Sequence, residues 1–448
     1  MKMFENALDI AEKILSELKR RNVEGDVYCE YSLLKYARIQ NNKHAEASEQ
    51  EEAGVSVRVI VDKRVGFYHA SPYTSSSPQE IVERAIKIAK LNSKVEKWQG
   101  LPTECKAVDI PGRFNRELLS IEVQQLVKAN DELLKVVKEN KNIFIYSGDV
   151  ELAYTLRKVM NTHGVDVQDE VTTVHASLDL VASEEGYSTP SVYEISYSHT
   201  SFVDLIELYN KCKERALSLL RPVKLDKTVD AVVMTHRAIG QLLEYTLASV
   251  LTARAFALRR SPFIDKLGQK IFDEKLTVVD DPLIPGGYSS SPFDDEGVIS
   301  RTTVLVDKGV VKEIVSNIYW GSLIGLKSTG HGYRASYRAL PEISYTNIVI
   351  KEGDVKLSEI LEGEKPYLLV DYLQGAHSSN PESGEFSVAA PCAWIVYKGE
   401  RKPLKGIMLS GNVYEALKDI SLTAEKFTIL NFISPYFILR KSINIISR

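Results

Sequence analysis

Residues 229–247, VDAVVMTHRAIGQLLEYTL, place His236 at the start of a helix that follows an apolar strand. Thr235 stands as its N-cap, and a helix opening at a strand end presents its first turn at the rim of a sheet. Metallopeptidases build zinc sites on such helices from two histidines about a turn apart and a glutamate beside the first. The imidazoles hold the metal and the carboxylate deprotonates its water. Here only the first histidine is present. Arg237 follows it with the wrong charge for a base, and Gly240 and Gln241 stand where a second ligand would fall. A single histidine at a helix start is more often a capping or core residue than a ligand.

Three further clusters carry residues able to bind or react. In SPFDDEGV, Asp294, Asp295 and Glu296 lie on a glycine-bounded turn and could receive a cation or a peptide amino group, although such a turn more often only closes a hairpin. In STGHGYRASYR, Gly330 and Gly332 flank His331, with Arg334 and Arg338 after it. That spacing is neither a dinucleotide fingerprint nor a phosphate loop, so nucleotide binding is rejected. In DYLQGAHSSNPESGEF, His377, Ser378 and Asn380 occupy a long polar loop. No G-x-S-x-G elbow occurs, and no serine has a sequence-level reason to pair with His331 or His377.

The elements that must position these residues read as an α+β chain. An amphipathic helix leads, with Phe4, Ala7, Leu8, Ala11, Ile14, Leu15 and Leu18 on one face. Alternating runs at 26–41 and 54–68 read as antiparallel strands, and Ser77, Pro78 and Glu80 open a second helix. The pattern breaks between Trp98 and Arg113. A helix over 117–139, strands over 143–160, 165–182 and 187–198, and a helix over 202–220 follow. Beyond residue 228, one helix over 236–258 precedes mostly short strands. The expected units are therefore 1–105, 113–222 and a β-rich 228–448.

With 448 residues, 44% hydrophobic and 26% charged, the chain is globular in composition and long enough for several cores. Its net charge of −4 provides no positive field for nucleic acid. Four scattered cysteines suggest neither a zinc ribbon nor a disulfide framework and fit a reducing cytoplasm. Acids interrupt the N-terminal apolar pattern and no stretch of 18 apolar residues occurs, so neither a signal peptide nor a membrane span is expected.

Taken in order, EEAGVSVRVIVDKRVGFYHAS, MNTHGVDV, SPFDDEGV, STGHGYRASYRALPEISYTN, QGAHSSNPESGEFS and KGIMLSGN resemble the blocks of the TldD/PmbA family, over about residues 5–413. That family's catalytic subunit carries H-E-x-x-x-H where this chain reads H-R-A-I-G-Q, from His236 to Gln241. The resemblance thus implies that Arg237 replaces the glutamate and Gln241 the second histidine. It also implies a ligand cysteine near the C-terminus, whereas this chain has none after Cys392 and ends in the unmatched FISPYFILRKSINIISR. The GAHSSNPESGEF loop is closer to the TldE form and GYRASYRALPEISYTN to the TldD form.

The resemblance implies a non-catalytic subunit with no metal or cofactor of its own, paired with a zinc-bearing TldD-like partner that cleaves extended or unfolded peptides. Asp294, Asp295, Glu296, His331, Arg334, His377, Ser378 and Asn380 would then line a peptide cavity or an interface, with His236 a relic. Two alternatives stand beside it: a homodimeric peptide-binding or assembly protein without peptidase activity, and a hydrolase using His331 or His377 with Asp294 and Asp295. The tail 427–446 is apolar enough to pack and could seal a groove.

Overall fold

The computed structural model describes residues 2–447. Helix α1 (Lys2–Arg20) buries the predicted face, and strands β1 (Glu24–Gln40), β2 (Lys43–Val61) and β3 (Arg64–Ala70) follow. The sequence reading missed residues 43–53. They are polar on both sides and mostly exposed, so they show no alternation, yet they pair with the second half of β1, from Tyr31 opposite Ala53 to Gln40 opposite Lys43. The stretch read as one run over 54–68 contains a turn at Asp62 and Lys63, both at positive φ, as are Asn41 and Asn42 at the preceding turn.

Helix α2 (Pro78–Leu91) begins with the expected capping box at Ser77 and Glu80. An irregular stretch leads to α3 (Val123–Glu139), then to β4 (Ile143–Asn161), β5 (Asp166–Glu184), β6 (Tyr187–Ser188), β7 (Val192–Ser198) and α4 (Leu205–Leu217). All seven strands form one antiparallel sheet in the order β3-β2-β1-β4-β5-β6, with β7 also on β5. The pairing of β1 with β4, from Asp26 opposite Asn161 to Gln40 opposite Ser147, joins the first two segments of the chain.

Because successive side chains alternate, this sheet has two distinct faces. One is apolar: Val27, Cys29 and Tyr31 pack beneath α1 and α2, while Ala37, Val150, Leu152 and Val174 pack beneath α3 and α4. The other carries Asp26, Tyr28, Arg58 and Arg157 toward one end and Asp149, Glu151 and His175 toward the other.

The rest of the chain forms a 12-stranded mixed sheet. Its strands are β8 (Ala231–Met234), β9 (Val278–Asp280), β10 (Thr303–Asp307), β11 (Val310–Val311), β14 (Ile348–Ile350), β15 (Tyr367–Gln374), β16 (Glu385–Tyr397), β17 (Glu400–Pro403), β18 (Ile407–Asn412), β19 (Ile420–Ile429), β20 (Phe432–Leu439) and β21 (Ile443–Ser447), and a small hairpin of β12 (Gly332–Tyr333) and β13 (Glu342–Ile343) stands apart. The α+β architecture with a large β-rich C-terminal part matches the expectation.

The C-terminal tail contributes an interior strand, β20, and an edge strand, β21, which pairs with β18. Strand β20 pairs with β19 along its length, with β14 in parallel at Phe432 and Ile433, and with β8 antiparallel, Phe437, Ile438 and Leu439 lying opposite Met234, Val233 and Val232. Phe437 is fully buried. No helix among the described residues is long and apolar enough to cross a membrane.

Candidate functional site

Helix α5 (His236–Leu243) leaves β8 at the sheet rim, as the sequence predicted. The expected helix over 236–258 is not continuous: a π-helical turn, Glu244–Ala248, follows α5, and Thr252 caps a separate short helix, Ala253–Ala257. Thr235 occupies the N-cap but makes no side-chain cap bond. Its hydroxyl instead donates to Asp371 Oδ1 at 2.9 Å, tying the helix start to β15.

The tail covers the His236 ring. Phe427 and Tyr436, from β19 and β20, stack near-parallel to it with ring centroids 5.5 and 6.1 Å away. Burial pushes His236 down to about 4, with the Arg237 guanidinium acting in the same direction, so the imidazole is neutral. Its Nδ1 is buried and has no hydrogen-bond partner among the described residues. Phe432 approaches the helix at Gly240, where a Cβ would lie 2.9 Å from the ring.

The two substituted positions are engaged elsewhere. Arg237 Nη2 donates to Glu194 Oε2 of β7 at 2.5 Å, and Arg215 of α4 pairs with the other oxygen of Glu194 and lies 3.3 Å from Asp371. Gln241 Oε1 accepts the backbone N–H of Leu373 at 2.9 Å, satisfying a donor of β15. Beside this face, Gly240, Gln241, Glu244, Leu247, Ile348 and Phe432 help line a cavity of about 630 Å³.

A zinc ion does not fit here. It needs ligands converging on one point, and the places next to His236 hold two aromatic rings, a guanidinium and a committed amide. Cys392, last of the cysteines, is buried, and its thiol is pushed up to about 12, first by burial and then by Asp371. It packs in an apolar cluster with Tyr367, Leu369 and Trp394.

Five other candidates come together inside the chain, where the polar face of the first sheet meets loops of the C-terminal unit. Arg58 lies 2.5 Å from Asp26 and from Glu296, and Arg334 lies 3.2 Å from Asp26. Asp295 pairs with Arg157 and accepts the Arg334 N–H at 2.7 Å. Asp294 accepts the N–H groups of Glu296, Val298 and Gly332, on a turn that Gly297 closes at φ +75°. Burial, and after it the neighbouring Glu296 carboxylate, push Asp294 above the ordinary carboxylate range. His331 is held by Asp280 at 2.9 Å and by Thr329. All five are at least nine-tenths buried; Asp295, Glu296 and Arg334 staple the first sheet to the C-terminal unit, while Asp294 and His331 brace that unit's own loops.

His377, Ser378 and Asn380 lie on a separate exposed loop, with His377 edge-on to Tyr245 and Asn380 closing a turn through the N–H groups of Glu382 and Ser383. Neither histidine ring is bonded to Asp294 or Asp295. Glu194, Asp371, Phe427 and Tyr436 were not singled out from the sequence. Only the apolar character of 427–446 hinted at the last two.

Three stretches of this chain match domains of one family: 25–89 the PmbA/TldA metallopeptidase domain 1, 116–220 its central domain, and 227–447 its C-terminal domain. An uncharacterized protein of Methanocaldococcus jannaschii is 30% identical, over 82% of this chain and 83% of that one. A protein of Saccharolobus solfataricus named a zinc metalloprotease TldD homolog is 26% identical over 84% and 83%. The crystal structure of TldE from Thermococcus kodakarensis superposes with a TM-score of 0.85 at 29% identity, covering 98% of this chain and 99% of that one. With matches in order along nearly its whole length, this chain belongs to the TldD/PmbA metallopeptidase family.

Proposed function

We propose that this chain is the non-catalytic, TldE-like subunit of a heterodimeric zinc peptidase, paired in the cytoplasm with a TldD-like chain that carries the metal and cleaves extended or unfolded peptides. The observation that carries the proposal is the state of α5. Arg237 is neutralised by Glu194, Gln241 holds a strand N–H, and His236 is neutral against a packed pair of aromatic rings. A helix so engaged has neither a base to activate water nor a second ligand to hold zinc. In this reading the internal staples keep the two sheets in fixed relation, and the cavity beside α5 and the His377 to Asn380 loop face the peptide or the partner.

The test is peptidase activity on an unfolded peptide with this chain alone, the TldD-like chain alone and both together, with zinc measured in each. Activity that requires the mixture, with no zinc in this chain that His236→Ala removes, is the expected result. Full activity of the partner alone, unchanged by this chain, refutes the pairing. Zinc-dependent activity of this chain alone refutes the non-catalytic assignment.

A further inference from the structure

The polar face of the first sheet carries a second group of metal-ligating side chains, away from the buried staples. Asp149 and Glu151 project from β4 to the same side, and His175 of β5 stands directly opposite Glu151. One ligand atom from each of these three lies within 4.8 Å of the others. All three are only partly buried, so an ion and its water can reach them.

Two details set this group apart from an ordinary surface ion pair. His175 Nδ1 lies 3.4 Å from Asp149 Oδ2, yet this buried nitrogen has no hydrogen-bond partner among the described residues. The ring and the carboxylate are therefore near each other without pointing at each other. Ligands about 2.1 Å from a common ion at a tetrahedral angle are separated by roughly 3.4 Å, which the observed spacing meets. The other oxygen, Asp149 Oδ1, accepts a hydrogen bond from the Ser177 hydroxyl, an outer contact of the kind that orients ligating carboxylates.

We infer that Asp149, Glu151 and His175 form a binding site for a divalent transition-metal cation of the zinc type, with a fourth position open to water. Two carboxylates and a neutral imidazole balance a charge of +2. The nearest competing charge is Arg38, 3.7 Å from Glu151 and 3.4 Å from Glu46. Arg38 partly neutralises the metal-free site, and the metal releases it to Glu46.

The test titrates the full chain, stripped with chelator, with Co2+ and Zn2+. Far-UV circular dichroism confirms the fold of each variant. One equivalent of Co2+ should give the visible absorption of a low-coordinate site, and Zn2+ should abolish it. Asp149→Asn and His175→Ala should each weaken binding at least tenfold, His236→Ala should leave it unchanged, and Arg38→Gln should strengthen it. Strengthening by Arg38→Gln is the readout that loss of structure cannot imitate. Failure to bind at millimolar metal, or binding lost with His236→Ala but indifferent to His175→Ala, overturns the assignment.

Discussion

Restoring the family's glutamate at position 237 should damage this protein instead of activating it. Arg237 and Glu194 are 13% and 4% exposed, so their contact is poorly screened. In Arg237→Glu a charge-assisted hydrogen bond is lost, at about 1.5–3 kcal/mol. Two carboxylates then face each other, and at about 4 Å and an effective dielectric constant near 20 they repel by about 4 kcal/mol. Protonating one of them at pH 7 costs about 3.7 kcal/mol, which sets a ceiling on the repulsion. The expected loss is about 5–7 kcal/mol at pH 7, narrowing to about 2–4 kcal/mol at pH 5, where protonation is about 2.7 kcal/mol cheaper. Arg237→Met, which leaves Glu194 paired with Arg215, should lose only about 1.5–3 kcal/mol.

Urea unfolding followed by fluorescence of the buried Trp394 reads these differences at both pH values. Arg237→Glu within about 1 kcal/mol of the native chain at pH 7 would refute the electrostatic reasoning. A double variant, Arg237→Glu with Gln241→His, that binds one zinc more than the native chain and cleaves peptide would refute the packing argument, because Phe427 and Tyr436 would have made room.

Other perturbations address the remaining supports. The folded-state value of His236, about 4, lies below the unfolded value of 6.5, so the unfolded chain binds its proton first and stability falls as pH drops from 6.5 toward 4. The effect is about 3 kcal/mol, and His236→Phe should flatten that part of a stability profile against pH. Arg58→Met leaves Asp26 and Glu296 without their shared cation and should lower stability by about 3–5 kcal/mol in urea titration. Phe437→Ala empties a fully buried position in β20 and should cost about 3–5 kcal/mol, and a tail that merely rested on the surface would give a far smaller change.

The local signals of the sequence were strong where a residue's neighbours along the chain decide its environment. The amphipathic face of α1, the capping box at Ser77 and Glu80, the alternation in β4 and β5, and the strand-to-helix step at Thr235 all depend on spacings of two to four residues. The motif positions His236, Arg237 and Gln241 were legible in the same way, together with the chemistry they lack. The polar half of β2 was not, because a strand exposed on both sides has no alternation to read.

Tertiary structure decided everything that depends on which distant segments meet. That Arg237 finds Glu194 across 43 positions, that Glu151 faces His175, and that Asp295 and Glu296 are buried against Arg157 and Arg58 follow from sheet register and packing. The tail is the clearest instance: its composition marked it as able to pack, but only pairing with β8 put Phe427 and Tyr436 on the His236 ring. Side-chain type fixes what a residue can do, and long-range pairing fixes what it can reach, because a strand's partner is chosen by the whole sheet and not by the strand's own residues.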